Sequence, residues 1–133
     1  MISKRNIINL FGAGATAIAL SVTAMPALAG MNGDSGTFTG QSNHVTTGGV
    51  SIVEEGGKFY VELADDFSLD GGPDPRVALG NNGYDSDTLL GELRELTGTQ
   101  RYEIPANVDI SDYNQVFIWC EIAGVPLGVA TLN

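Results

Sequence analysis

From Thr37 onward the chain alternates apolar and polar side chains with a period of two, in short runs separated by clusters of Gly, Pro, Asn and Asp. A period of two belongs to strands, because successive side chains of a strand point to opposite faces, whereas a helix repeats every 3.6 residues. Lys58 to Leu63 shows the pattern best: Phe59, Val61 and Leu63 fall on one face, and Lys58, Tyr60 and Glu62 on the other. Gly49-Val50-Ser51-Ile52-Val53, followed by Glu54-Glu55-Gly56-Gly57, makes that strand one arm of a hairpin, with the glycines supplying the positive φ angles of a tight turn. Val77-Ala78-Leu79 is a short strand ended by the turn Gly80-Asn81-Asn82-Gly83. Leu89, Leu93 and Leu96 have helical spacing, but Gly91 is a poor helix residue. Gly98 with Gln100 to Ile104 favours a second hairpin there, stopped at Pro105. Val108 to Tyr113 reads as a connection, and Gln115 to Ile122 and Val125 to Leu132 as the two closing strands. The sum is an all-β protein, an antiparallel β-sandwich or barrel of about eight short strands.

Ahead of this pattern, Lys4 and Arg5 precede an uncharged stretch from Ile7 to Val22 and the small-x-small site Ala27-Leu28-Ala29, the order of a signal peptide over residues 1–29. The apolar stretch is short and rich in Gly and Ala for a membrane span, and no second hydrophobic segment follows it, so no stable membrane anchor is expected. The reading is an exported protein, periplasmic or extracellular. Ser3-Lys4-Arg5-Asn6 resembles a twin-arginine export signal with Lys4 in place of the first arginine, while an ordinary secretory signal also begins with basic residues. Removing 29 of the 133 residues leaves 104, enough for one core. Residues 30–35 read as a flexible lead and 36–133 as the β domain. The mature chain keeps four Lys and Arg against 16 Asp and Glu, a net charge of −12, which makes nucleic acid and anionic membranes poor partners.

Chemistry must come from few residues. Cys120 is the only cysteine and His44 the only histidine. A lone thiol in an exported chain has no internal disulfide partner, so it is packing, a ligand or redox centre, or a handle for another chain. Alternation places Cys120 with Val116, Ile118 and Ile122, and places Phe117, Trp119 and Glu121 on the opposite face. Apolar surroundings make a thiol a poor naked nucleophile, although coordination to iron or copper would deprotonate it. His44, in Ser42-Asn43-His44-Val45, is either a solvated loop residue or a second ligand. One His and one Cys exclude a blue-copper centre and structural zinc, and no Cys-x-x-Cys-His haem attachment is present. A Cys/His pair is formally available for hydrolysis, but the two lie far apart in sequence and no base-orienting third residue can be named; the acidic turns (Asp65-Asp66 with Asp70 and Asp74; Asp85 with Asp87) lack the complete spacing of a known calcium loop.

Phe38, His44, Gly48 with Val50, Phe67 to Asp74, Val77-Ala78-Leu79, Gly91 with Leu93, Gly98-x-Gln100-x-Tyr102-x-Ile104-Pro105, Val116-x-Ile118-Trp119-Cys120 and Gly128 with Ala130 and Leu132 together resemble the DM-thirteen domain over residues 36 to 132. The resemblance implies an all-β extracellular or periplasmic module, found beside DOMON domains or as small exported bacterial proteins, with a role in electron transfer. It implies that Cys120 acts as a free thiol or by binding a prosthetic group such as haem, and it matches His44 to a recurrent histidine. Ala123 and Leu127 stand where relatives often carry phenylalanine.

The functional expectation is an exported domain with a redox role centred on Cys120, with His44 as second ligand or proton partner and Trp119 packing beside the site. Haem or a redox metal is the kind of cofactor this admits, and a redox protein the kind of partner. One cysteine per chain permits a cofactor-borne electron, sulfenic-type oxidation or a mixed disulfide, but no internal dithiol cycle. This makes the protein a carrier or accessory component rather than a turnover enzyme. The rival is a binding module for protein, glycan or cation, with Tyr60, Tyr84, Tyr102, Tyr113 and Trp119 as its aromatic surface and Cys120 as packing.

Overall fold

The computed structural model describes residues 34–133; the signal peptide read over 1–29, and the lead as far as residue 33, lie outside the described residues. The fold is all-β, as the alternation requires. Its strands are β1 (Ser35–Gly40), β2 (Thr46–Thr47), β3 (Gly49–Glu55), β4 (Lys58–Leu63), β5 (Ser68–Leu69), β6 (Pro75–Gly80), β7 (Tyr84–Glu92), β8 (Gln100–Ile104), β9 (Gln115–Cys120) and β10 (Val125–Thr131). Eight of them form one antiparallel sheet in the order β7-β6-β9-β10-β1-β3-β4-β8, nearly closed into a barrel, and β2 pairs with β5. β1 starts at Ser35, two residues before the expected Thr37, because Ser35 and Gly36 pair with Ser51 and Val50.

The β3–β4 hairpin forms as the glycines dictate. Glu55 pairs with Lys58, and Gly56 and Gly57 both take positive φ, 62° and 81°, the twist that matches the flanking strands. The second hairpin does not form. The strand ending at Glu92 pairs with β6 instead of β8, turning through Asn81-Asn82-Gly83, and β8 pairs with β4 at the opposite edge of the sheet. The turn chemistry was strong, but Tyr84-Asp85-Ser86-Asp87 carries no apolar alternation, so its strand was hidden.

The core runs along the barrel axis from Phe38, Val50, Val61 and Leu63 through Val77, Leu79, Val116 and Ile118 to Leu127 and Ala130, all buried. The strand directions sort the connections into two ends. At one end lie the 41–48, 64–74, 93–99 and 121–124 segments, where β9 stops and β10 begins; at the other lie the 56–57, 81–83 and 105–114 segments. Strand β9 stops at Cys120, not Ile122. The chain reverses there in a turn over 121–124, closed by the Gly124 N–H donating to the Cys120 carbonyl (2.8 Å), and Ile122 is left 74% exposed, a correction to its expected place on the inner face.

Candidate functional site

Cys120 lies where alternation put it, on the inner face of β9 with Val116 and Ile118, and all three have no exposed surface. Its register partners are Pro75 on β6 and Val125 on β10. A β-bulge between Pro126 and Gly128 leaves Leu127 as the extra residue of β10. The Leu127 side chain is buried, and its carbonyl, freed from the β9 ladder, accepts from the Gln41 N–H (2.9 Å) and the Thr46 hydroxyl (2.8 Å). The bulge thus ties the loop bearing His44 to the strand that faces Cys120.

That loop is built by a tight turn in which Ser42 and Asn43 take φ of 56° and 65° and the His44 N–H donates to the Gln41 carbonyl (2.9 Å). Asn and Ser tolerate this region because their short side chains find local polar partners; the Ser42 hydroxyl donates to the Pro126 carbonyl at 2.6 Å. His44 Nδ1 lies 2.8 Å from one carboxylate oxygen of Asp70, and the other oxygen accepts from the Val45 N–H at 3.0 Å. The Val45 N–H first, and His44 second, hold the Asp70 carboxyl below its usual value of 3.8. A carboxylate only accepts, so Nδ1 carries a proton toward Asp70 and Nε2 is the nitrogen turned away from it. Gly72 sits over this ring and over Leu127: a Cβ there would lie 2.9 Å from Leu127 Cδ1 and 3.9 Å from His44 Cε1.

The only thiol and the only imidazole therefore share one end of the barrel, the thiol sealed inside and the imidazole 28% exposed in the loops above. Trp119 does not join them. It faces outward from β9 beside Arg76 and Pro126, with Tyr84 stacked on it at 3.7 Å and 7° and Phe117 edge-on to Tyr84. Burial, then the nearby Glu121 and Asp85 carboxylates, raises the Tyr84 hydroxyl above its usual value of 10.0. The remaining aromatics are dispersed: Tyr102 is buried, its hydroxyl 2.5 Å from Gln100 Oε1; Tyr60 lies under Arg101; Tyr113 bonds to Asp85. The partner that sequence did not single out is Asp70. It lies 26 positions from His44 and was one of several turn acids, with no spacing rule to link the two.

The surroundings of Cys120 do not fit a haem or a redox metal. A macrocycle needs a concave space of several hundred Å³ beside its ligand, whereas here the sulfur's side is filled by the aliphatic core. A groove of about 510 Å³ exists at the opposite end, lined by Lys58, Phe59, Glu103, Ile104, Val108 and Ile110 among others. Among the described residues no three His, Cys, Asp or Glu side chains are grouped to hold a metal ion.

Acid should weaken the His44–Asp70 end of the barrel. Asp70 titrates below its unfolded value, so the stability it contributes is complete above 3.8 and is lost as pH falls through its lower folded-state value. Asp109, held down by the Ser111 hydroxyl and N–H at the other end, behaves with the same sign. Carboxyl shifts followed by NMR from pH 6 to pH 2 should show both midpoints depressed, with Asp70→Asn removing the step sensed by the Val45 amide; a normal Asp70 midpoint would contradict the pairing.

Comparison with curated proteins and with solved structures gave no match. A family model described as Electron transfer DM13 matches residues 37–132, and that description points to an electron-transfer-related role. Because the match runs from the third residue of β1 to the residue after β10, this chain belongs to the electron transfer DM13 family.

Proposed function

We propose that this domain is an exported redox component in which the Cys120 thiol itself is the group that is oxidised and reduced, with the His44–Asp70 pair as its proton partner. Residues 1–29 are the export signal, removed to leave the β domain. Support comes from one observation above all: the chain's sole imidazole, oriented by a carboxylate, stands at the barrel end that encloses its sole thiol. A carboxylate behind an imidazole holds the ring and fixes which nitrogen faces away from it.

The chemistry that one cysteine allows is a two-electron cycle between partners. A peroxide oxidises the thiol to a sulfenic acid, the S–O bond forming as the O–O bond breaks and water leaving, with the thiol proton passing through His44 Nε2. A dithiol protein then attacks the sulfenic sulfur, giving a mixed disulfide and water, and its second thiol resolves that bond, so that the partner leaves as a disulfide and Cys120 regains its proton. Two electrons have moved from the dithiol to the peroxide. Both steps require the turns at 41–45 and 70–74, which hold no buried residue, to part from the end of the barrel while Thr46, Phe67 and Leu69 stay packed, a local opening short of global unfolding.

The competing reading, a binding module in which Cys120 only packs, is favoured by the complete burial of the sulfur. A sulfenic-acid trap separates the two. Folded protein exposed to mild peroxide and dimedone should gain one adduct at Cys120, prevented by prior dithiol and absent in Cys120→Ala, with His44→Ala slowing its formation. Adduct formation only in denaturant would leave the packing reading standing.

A further inference from the structure

Three large apolar side chains are exposed among the described residues: Val45 at 64%, Leu96 at 46% and Ile122 at 74%. Isolated exposed apolar residues are ordinary, but these three are not dispersed. Each lies in a different loop of the same barrel end, the end over Cys120. Backbone hydrogen bonds join those loops into one surface: the Leu69 N–H donates to the Leu96 carbonyl (2.8 Å), Asp70 N–H to Val45 (3.1 Å), and Glu121 N–H to Asp74 (3.0 Å). The His44–Asp70 pair sits between Val45 and the 71–74 turn.

We infer that this end is a docking surface for a partner protein whose contact face is apolar at its centre and basic at its rim. The charge distribution selects that partner. Asp65, Asp66, Asp70, Glu95 and Glu121 are exposed around the three apolar side chains, while the two arginines of this end are engaged, Arg76 by both carboxylate oxygens of Asp74 and Arg94 by the Arg101 carbonyl and the Tyr102 ring. A second copy of this chain would bring the same acids face to face, which costs rather than stabilises, whereas a lysine- or arginine-rimmed face gains attraction and faster encounter. The inference rests on the redox reading only for its purpose, since a partner bound here would lie over the loops that must part above Cys120; the surface itself stands on exposure and charge.

Binding of defined peptides tests it independently of any electron transfer. The probes are an amphipathic Leu/Lys helical peptide and a Ser/Lys peptide of equal charge, titrated into the isotope-labelled protein at low salt. The expected result is that the Leu/Lys peptide shifts the amides of Val45, Leu96, Ile122 and their neighbours, and binds about tenfold tighter than the Ser/Lys peptide, the size of effect that burial of one or two apolar side chains produces. The Val45→Ser/Ile122→Ser double variant, changed only at exposed positions, should remove that difference, and Glu121→Lys should weaken both peptides. Equal binding of the two peptides, shifts centred on residues 103–110 at the other end, or dimerisation of the protein through this surface would each overturn the inference. Trapping of Cys120 by dimedone bears on the redox reading alone, so the two fail separately.

Discussion

Gly48→Ala is expected to destabilise the domain by about 3 kcal/mol or more, and to do so by acting on the loop that carries His44. Gly48 has φ of +98°, a backbone conformation that L side chains rarely adopt. Its carbonyl accepts from the Phe38 N–H at 2.9 Å, which keeps it from sliding along β1. A Cβ built there meets the Asp66 carbonyl carbon at 2.6 Å and comes still closer to the Phe67 Cα. These are backbone atoms, and Phe67 is itself fully buried with its ring edge-on to Phe38, so neither side can give way cheaply. Strain from the φ angle and displacement of the Phe67 segment add. Gly124, at φ +67° with open space around it, supplies the control: Gly124→Ala should cost about 1 kcal/mol from conformation alone. Urea midpoints measure both. Equal shifts in the two variants would show that the 48–67 crossing is not tightly packed. If the crossing does lock the 41–47 loop, Gly48→Ala should also broaden the His44 ring resonances well below the denaturation midpoint.

What the sequence made legible was whatever local chemistry determines. The β3–β4 hairpin follows from alternating Val50, Ile52, Val61 and Leu63 and two glycines at the turn, and its register is as those residues require. The face of β9 that carries Cys120 follows from the same period of two. Legibility failed where a distant segment decides. Residues 84–92 are a strand because β6 offers them an edge, while their own first residues are polar and acidic. Ile122 continues an apolar run but is expelled because the turn to β10, closed by the Gly124 N–H on the Cys120 carbonyl, takes residues 121–124 out of the strand. The site shows the same division. Cys120 and His44 are conspicuous by being unique residues, whereas Asp70 becomes their associate only through the β2–β5 bridge that lays residues 45 and 70 side by side.

Cys120 should react with a small disulfide reagent such as dithionitrobenzoate at least about a thousandfold more slowly than an unfolded thiol, because a sulfur with no exposed surface is reached only through an opening whose equilibrium constant multiplies the intrinsic rate. The dependence of that rate on urea identifies the opening. If the whole barrel must unfold, the logarithm of the labelling rate falls into line with the global unfolding free energy and rises with its full slope. The redox reading requires something else: at low urea the rate should plateau above the globally limited value and be nearly independent of denaturant, as expected of a local parting of the loops over Leu127 that exposes little surface. Asp70→Asn should raise this plateau severalfold, since it removes the carboxylate bridging the His44 ring and the Val45 N–H. Because Asp70 is itself exposed, the same variant should shift the urea midpoint little. A labelling rate that follows global unfolding at every urea concentration, unmoved by Asp70→Asn beyond its effect on stability, would mean that the thiol is never presented by the folded protein. Cys120 would then be a core residue, and the loops above it a docking surface that owes nothing to the sulfur beneath.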